Sequence, residues 1–254
     1  MDERNVEAVR EQARIRDYAA FRAFTSRRDF LTLMGIGGTL VLLPGVFAAC
    51  QDSTNTEGIS GPGSGSTLVI DFAKGDVAIL QFAYLLEQLE ADFYSRVVAN
   101  FNGSDFTAAD QLVLTDIRNH EVIHREFLKA ALASNATFTV NAIYPGLMLK
   151  DRATVLAAAR TFEDLGVAAY NGAAQYLTDV NNLLAVGKIV SVEARHAAAI
   201  RDLLSPLSSD FAPKTFDDAF SPTKVAGSAQ GFIVNELVFE NAPTTFVQGP
   251  NANG

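Results

Sequence analysis

Two short segments of this chain repeat one chemical pattern. Asn119-His120-Glu121-Val122-Ile123-His124 and Ser191-Val192-Glu193-Ala194-Arg195-His196 each contain Glu-x-x-His. Side chains three apart on a helix emerge on one face, about 5–6 Å apart at Cβ, so a carboxylate and an imidazole so spaced reach one ion or two adjacent ones. Two further glutamates, Glu87 and Glu163, each precede a tyrosine by seven residues, Tyr94 and Tyr170. Seven residues nearly complete two turns of a 3.6-residue helix, so each acid shares a face with its tyrosine. Mixed carboxylate and imidazole donors suit iron or manganese better than calcium, and zinc is also compatible.

These residues need helices to position them. Apolar residues recurring every three or four positions predict four long helices, over about Asp76–Asn100, Thr107–Ser134, Asp151–Asp179 and Ala185–Leu204. Asn102-Gly103, Tyr144-Pro145-Gly146 and Ser205-Pro206 interrupt the pattern, and Asp76 and Thr107 stand where N-caps belong. Four helices of this length predict an all-α four-helix bundle.

The helices also predict an internal two-fold repeat. The first and third stripes align Leu80, Ala83, Glu87 and Tyr94 with Leu156, Ala159, Glu163 and Tyr170, always 76 residues apart. The second and fourth align Ile117, Glu121, His124 and Leu128 with Ile189, Glu193, His196 and Ile200, always 72 apart. Ordinary core spacing accounts for matched apolar positions but gives no reason to repeat acids and histidines in register inside them. Buried unpaired carboxylates are costly and repel one another. No Lys or Arg stands among the inward positions, so the balancing charge is either bound metal or protons on shifted carboxyls. Glu90 faces the same interior, yet its counterpart is Gly166. Either Glu90 leans over the glycine as an extra ligand, or the glycine only lets two helices approach and Glu90 pairs with solvent or a base. His120 lies one residue off the inward stripe and reads as a surface group or an outer partner of the site.

The combination resembles the ferritin-like superfamily, and within it the desiccation-related group, through LLEQLEADFY, NHEVIHREFL, RTFEDLGVAAYNGA and SVEARHAAAIRDLL. The likeness covers about residues 68–204. It implies a pair of iron or manganese ions held by Glu87, Glu121, His124, Glu163, Glu193 and His196, with Glu121 and Glu193 bridging. It also implies that Tyr94 and Tyr170 hydrogen-bond ligand carboxylates of the facing helix. A di-metal oxidoreductase acting on ferrous ion, dioxygen or peroxide is the first functional reading. A non-catalytic, stress-related scaffold with a structural or vestigial metal site is the second. Iron storage is a third, hindered by the appended segments at both ends of the bundle.

Outside the bundle the sequence changes character. Arg27-Arg28 precede an uncharged, glycine-containing apolar stretch, Leu31–Ala49, a pattern resembling a twin-arginine export leader over residues 1–49. An uncleaved membrane anchor is the competing reading. Val46-Phe47-Ala48-Ala49-Cys50 resembles a lipobox with Cys50 as the lipid acceptor, although Phe47 departs from the usual aliphatic residue. Periplasmic or lipid-anchored export from a bacterium is the expected location. Residues 50–67 are rich in Ser, Thr and Gly and read as a flexible linker. Residues 205–254 form an extension whose Phe211, Phe216, Phe220, Phe232, Val234, Leu237 and Phe239 are expected to cover a face of the bundle, with a short helix from Ser221-Pro222. A formal charge of −9 without a basic cluster after the leader excludes a nucleic-acid footprint. The single cysteine excludes a disulfide framework and any CxxC metal site.

Overall fold

The structure is a computed structural model and describes residues 66–250. The predicted leader, Cys50 and nearly all of the linker lie outside the described residues. Strand β1 (Leu68–Asp71) leads through a 3-10 turn into helix α1 (Asp76–Ala99); α2 (Ala108–Leu132), α3 (Arg152–Ala173) and α4 (Val180–Leu204) follow. A short α5 (Pro222–Ala229) and strand β2 (Leu237–Glu240) complete the element order. Among the described residues no helix is long and apolar enough to cross a membrane.

Local chemistry sets the helix ends. Thr107 and Asp110 form a reciprocal capping box at the start of α2. The same buried Asp110 takes a bidentate pair from Arg152 at 2.9 Å, and Arg152 donates on to Leu203 O at 2.8 Å. One carboxylate thus joins the start of α2, the start of α3 and the end of α4, and the Arg152 bonds hold it down at about 2. Asp76 differs from its expected role. Gly75 is the N-cap of α1, while the Asp76 carboxylate accepts from Thr178 N, Thr178 Oγ1, Asp179 N and Asn182 Nδ2 at 2.7–3.0 Å. It therefore satisfies exposed donors at the entry to α4, and the α3–α4 boundary also differs from the expected one. Instead of running to Asp179, α3 ends at Ala173, and α4 begins at Val180 with Asp179 as its cap.

α1 buries sixteen of its 24 residues, because it is covered on more than one side. The α2–α3 connection runs along it, with Val140 N donating to Gln88 Oε1 at 3.1 Å and Tyr144 Oη to Leu89 O at 2.9 Å. The C-terminal extension lies over that connection. Val234 N donates to Asn141 O at 2.9 Å, and the fully buried Asn235 accepts from Asn141 N and donates to Ser66 O. An element absent from the all-α reading closes this layer, a parallel β1–β2 pair in register from Leu68 with Leu237 to Asp71 with Glu240. Phe220, Phe232, Leu237 and Phe239 pack on the core, but Phe211, Phe216 and Val234 keep 38–54% of their surface exposed.

α3 owes one contact to Gly172. Phe220 N donates to Ala168 O at 2.8 Å, which brings the Phe220 backbone so close that a Cβ on Gly172 would stand 1.8 Å from Phe220 O. Gly172→Ala should therefore displace the extension at this point and cost about 1–3 kcal/mol, as overpacking does. Chemical denaturation measures that loss, and limited proteolysis should cut the variant near Phe220 earlier than the wild type. An unchanged midpoint and cleavage pattern would contradict it.

Candidate metal centre

α1 contributes Glu87, Glu90 and Tyr94 to the bundle interior, α2 Glu121 and His124, α3 Glu163 and Tyr170, and α4 Glu193 and His196. Each acid sits on an apolar stripe, so packing forces it inward. Glu87, Glu121, Glu163 and Glu193 are fully buried, and Glu90 and His196 nearly so. Tyr170 Oη donates to Glu87 Oε1 at 2.5 Å, and Tyr94 Oη donates to Glu163 Oε1. The exchange is reciprocal between α1 and α3, and it requires these helices to run antiparallel. α2 and α4 are antiparallel by the same reasoning, since His124 meets Glu193 while His196 meets Glu121.

The donor atoms converge. Nδ1 of His124 lies 3.0 Å from Glu193 Oε1, 3.4 Å from Glu121 Oε2 and 3.5 Å from Glu87 Oε2. Nδ1 of His196 lies 2.7 Å from Glu121 Oε1 and 3.5 Å from Glu163 Oε2. These approaches are close but lack hydrogen-bond alignment: both Nδ1 atoms, both oxygens of Glu121 and Glu193, and Oε2 of Glu87, Glu90 and Glu163 are buried with no hydrogen-bond partner. Buried polar atoms are rarely left so. One set, Glu87, Glu121, Glu193 and His124, offers ligand atoms all within 4.8 Å of one another, and so does a second, Glu121, Glu163, Glu193 and His196. Glu121 and Glu193 belong to both.

Glu90 leans over Gly166: a Cβ there would meet Glu90 Oε1 at 3.0 Å and Glu193 Oε2 at 3.3 Å. The glycine thus makes room for the fifth carboxylate. His120, one residue off the stripe, reaches the site from outside, with its Nδ1 2.9 Å from His196 Nε2.

Electrostatics of the cluster's own groups follow from burial and crowding. Desolvation pushes Glu87 up to about 8, with the Glu121 charge adding to it. Burial and neighbouring acids hold Glu90 and Glu193 well above the carboxylate range. Burial would raise Glu121 too, but His124 and His196 outweigh it and hold it at about 2. Burial disfavours both imidazolium ions, yet the surrounding carboxylates prevail and push His124 up to about 12 and His196 to about 10. Burial and crowding thus favour protons on most of these groups, Glu121 excepted. A donor set of five carboxylates and two imidazoles, with partnerless lone pairs facing one another, fits divalent cations.

Residues 75–206 match the ferritin-like domain family, over half of the chain, and the protein belongs to that family. No curated protein matches the chain. All six glutamate and histidine positions, with Glu90 and both tyrosines, fall inside the matched span.

Proposed function

We propose that the bundle binds two iron or manganese ions through Glu87, Glu121, His124, Glu163, Glu193 and His196, and that the loaded centre oxidises ferrous ion or handles dioxygen or peroxide. The observation that carries this reading is the convergence of partnerless donor atoms into two sets sharing Glu121 and Glu193. When bound, such a pair supplies one-electron changes at two adjacent positions, which together suit the two-electron chemistry of dioxygen and peroxide. The remaining work belongs to the chain. Glu121 and Glu193 present both oxygens inward and can span two ions. Tyr94 and Tyr170 hold the outer oxygen of Glu163 and Glu87, so the second oxygen of each stays directed at the centre. Glu90, the extra ligand in this reading, occupies the space above Gly166, where burial and the neighbouring acids favour its neutral form. Leu114, Ile117, Leu128, Leu156 and Ile200, all buried, stand within two turns of the ligands on the same helices and keep those stretches of the interior apolar.

Metal analysis of protein purified from its native host, followed by oxygen and peroxide consumption with added ferrous ion, tests the proposal. Two ions per chain and consumption faster than by free iron are expected. Metal binding with a raised melting temperature but no acceleration would leave the scaffold reading, and no bound metal would defeat both. Tyr94→Phe and Tyr170→Phe should each weaken metal binding by about 10–100-fold, because a ligand carboxylate loses its fixed orientation. Calorimetric titration would show this, and unchanged affinity in both variants would remove the tyrosines from the site.

The export reading belongs to this proposal. A bundle that acquires metal before crossing a membrane suits a route for folded proteins, so Arg27→Lys with Arg28→Lys should trap precursor inside the cell. Mass spectrometry of the mature chain should give a lipidated Cys50 at its N-terminus. Normal secretion of the double variant would defeat the twin-arginine reading, and any other N-terminus would remove the lipid anchor.

A further inference from the structure

The internal repeat is broken beside one histidine. The 72-residue offset that pairs Glu121 with Glu193 and His124 with His196 pairs His120 with Val192. His120 and His196 approach with Nδ1 to Nε2 at 2.9 Å, ring centroids 5.1 Å apart and planes 11° from parallel. A nitrogen contact so short between nearly parallel rings sets them edge to edge in almost one plane, where face-to-face rings would keep their atoms farther apart. This is the geometry of an in-plane hydrogen bond. Nε2 of His124 has no hydrogen-bond partner among the described residues, and the repeat offers it only the valine.

Resting on the metal reading above, we infer that His120 is a positioning residue for one half of the centre: it fixes the ring of His196 with Nδ1 inward and so makes the two metal positions inequivalent. A neutral imidazole carries one proton, on one of its two nitrogens. With Nδ1 of His196 given to a cation, that proton resides on Nε2, which then donates to His120 Nδ1, and His120 keeps its own proton on the outer Nε2. The bond restrains ring rotation and strengthens Nδ1 as a donor, as outer partners of metal-bound histidines do. Among the described residues, only packing and the carboxylates Glu87, Glu121 and Glu193 orient His124. His120 itself stays exposed at the bundle surface, so replacing it opens no cavity in the buried cluster.

The test uses cobalt(II) as a spectroscopic probe on the full chain, with His120→Val, which imports the residue of the other repeat, and His120→Asn, whose Oδ1 stands close to the place of Nδ1 and can accept from His196 Nε2. Wild type should take two cobalt ions with distinct affinities. His120→Val should weaken one of them by about 10–100-fold, change the visible absorption of that ion only, and leave the melting temperature of the metal-free protein nearly unchanged. His120→Asn should restore most of the loss. Two ions bound equally by wild type and His120→Val, weakening of both positions together, or no rescue by asparagine would overturn the inference while leaving the metal reading intact. A wild type that takes up no cobalt would overturn the metal reading, and the inference with it.

Discussion

Replacing either Glu121 or Glu193 by alanine is expected to empty both metal positions together, because each of these residues contributes to both converging sets. Replacing Glu87 or Glu163, which belong to one set each, should deplete one position more than the other. Metal content per chain after dialysis separates the outcomes. Equal content in wild type, Glu121→Ala and Glu193→Ala would defeat the shared-ligand arrangement. The two variants should differ, however, once metal is removed. Glu193 is buried, crowded by acids and held well above the carboxylate range, so the fold favours its neutral form and its loss removes little counter-charge. Glu121 is the ionised partner of His124 and His196. Without it, two buried imidazoles lose their main counter-charge. Stripping one partner from a buried pair typically costs about 3–5 kcal/mol. Metal-free Glu121→Ala should thus melt well below metal-free wild type, and metal-free Glu193→Ala should melt at or above it.

The polar half of this site was legible in the sequence because a helix imposes a period. Once apolar residues fix which face is inward, any acid or histidine on that face is inward too, and repetition at fixed offsets marks it as more than chance. The direction of a side chain off the stripe is not fixed in this way, so His120 had no assignable partner until α2 and α4 were seen antiparallel with His196 opposite. Glycine shows the same limit from another side. Gly166 and Gly172 stand six residues apart in one helix, yet the first admits the Glu90 carboxylate and the second the backbone of Phe220. Only tertiary contacts distinguish these reasons. Asp76 has the residue type of an N-cap, but the donors it satisfies are 102 to 106 residues away. The β1–β2 pair is equally remote in sequence, since Thr67 and Glu236, which flank it, are 169 residues apart. No local pattern announces a register set by where the bundle leaves both segments.

Raising the pH is expected to weaken the metal-free fold and tighten metal binding at the same time. Consider each group in turn. Glu87 titrates near 4.5 when unfolded and at about 8 in the metal-free fold, so its contribution is complete below 4.5 and is lost as the pH rises to 8. His124 and His196, ordinarily near 6.5, are raised to about 12 and 10, so theirs is lost between 6.5 and those values. Glu121 runs the opposite way, its stabilisation being present above 4.5 and lost only as the pH falls through about 2. Between pH 5 and 9 Glu87, His124 and His196 act in one direction, the raised Glu90, Glu163 and Glu193 add to it, and His120, lowered by burial, opposes them. Each proton held by the folded form alone changes stability by about 1.4 kcal/mol per pH unit. A cation binds only after the imidazoles and carboxylates release these protons, so each proton displaced tightens apparent affinity by about tenfold per pH unit. Calorimetry in buffers of different ionisation enthalpy should register release of more than one proton per chain at pH 7, and melting curves should show the metal-induced increment growing from pH 6 to pH 9. Binding that releases no protons, or a metal-free protein whose melting temperature rises over that interval, would show that the buried cluster does not hold protons in place of metal.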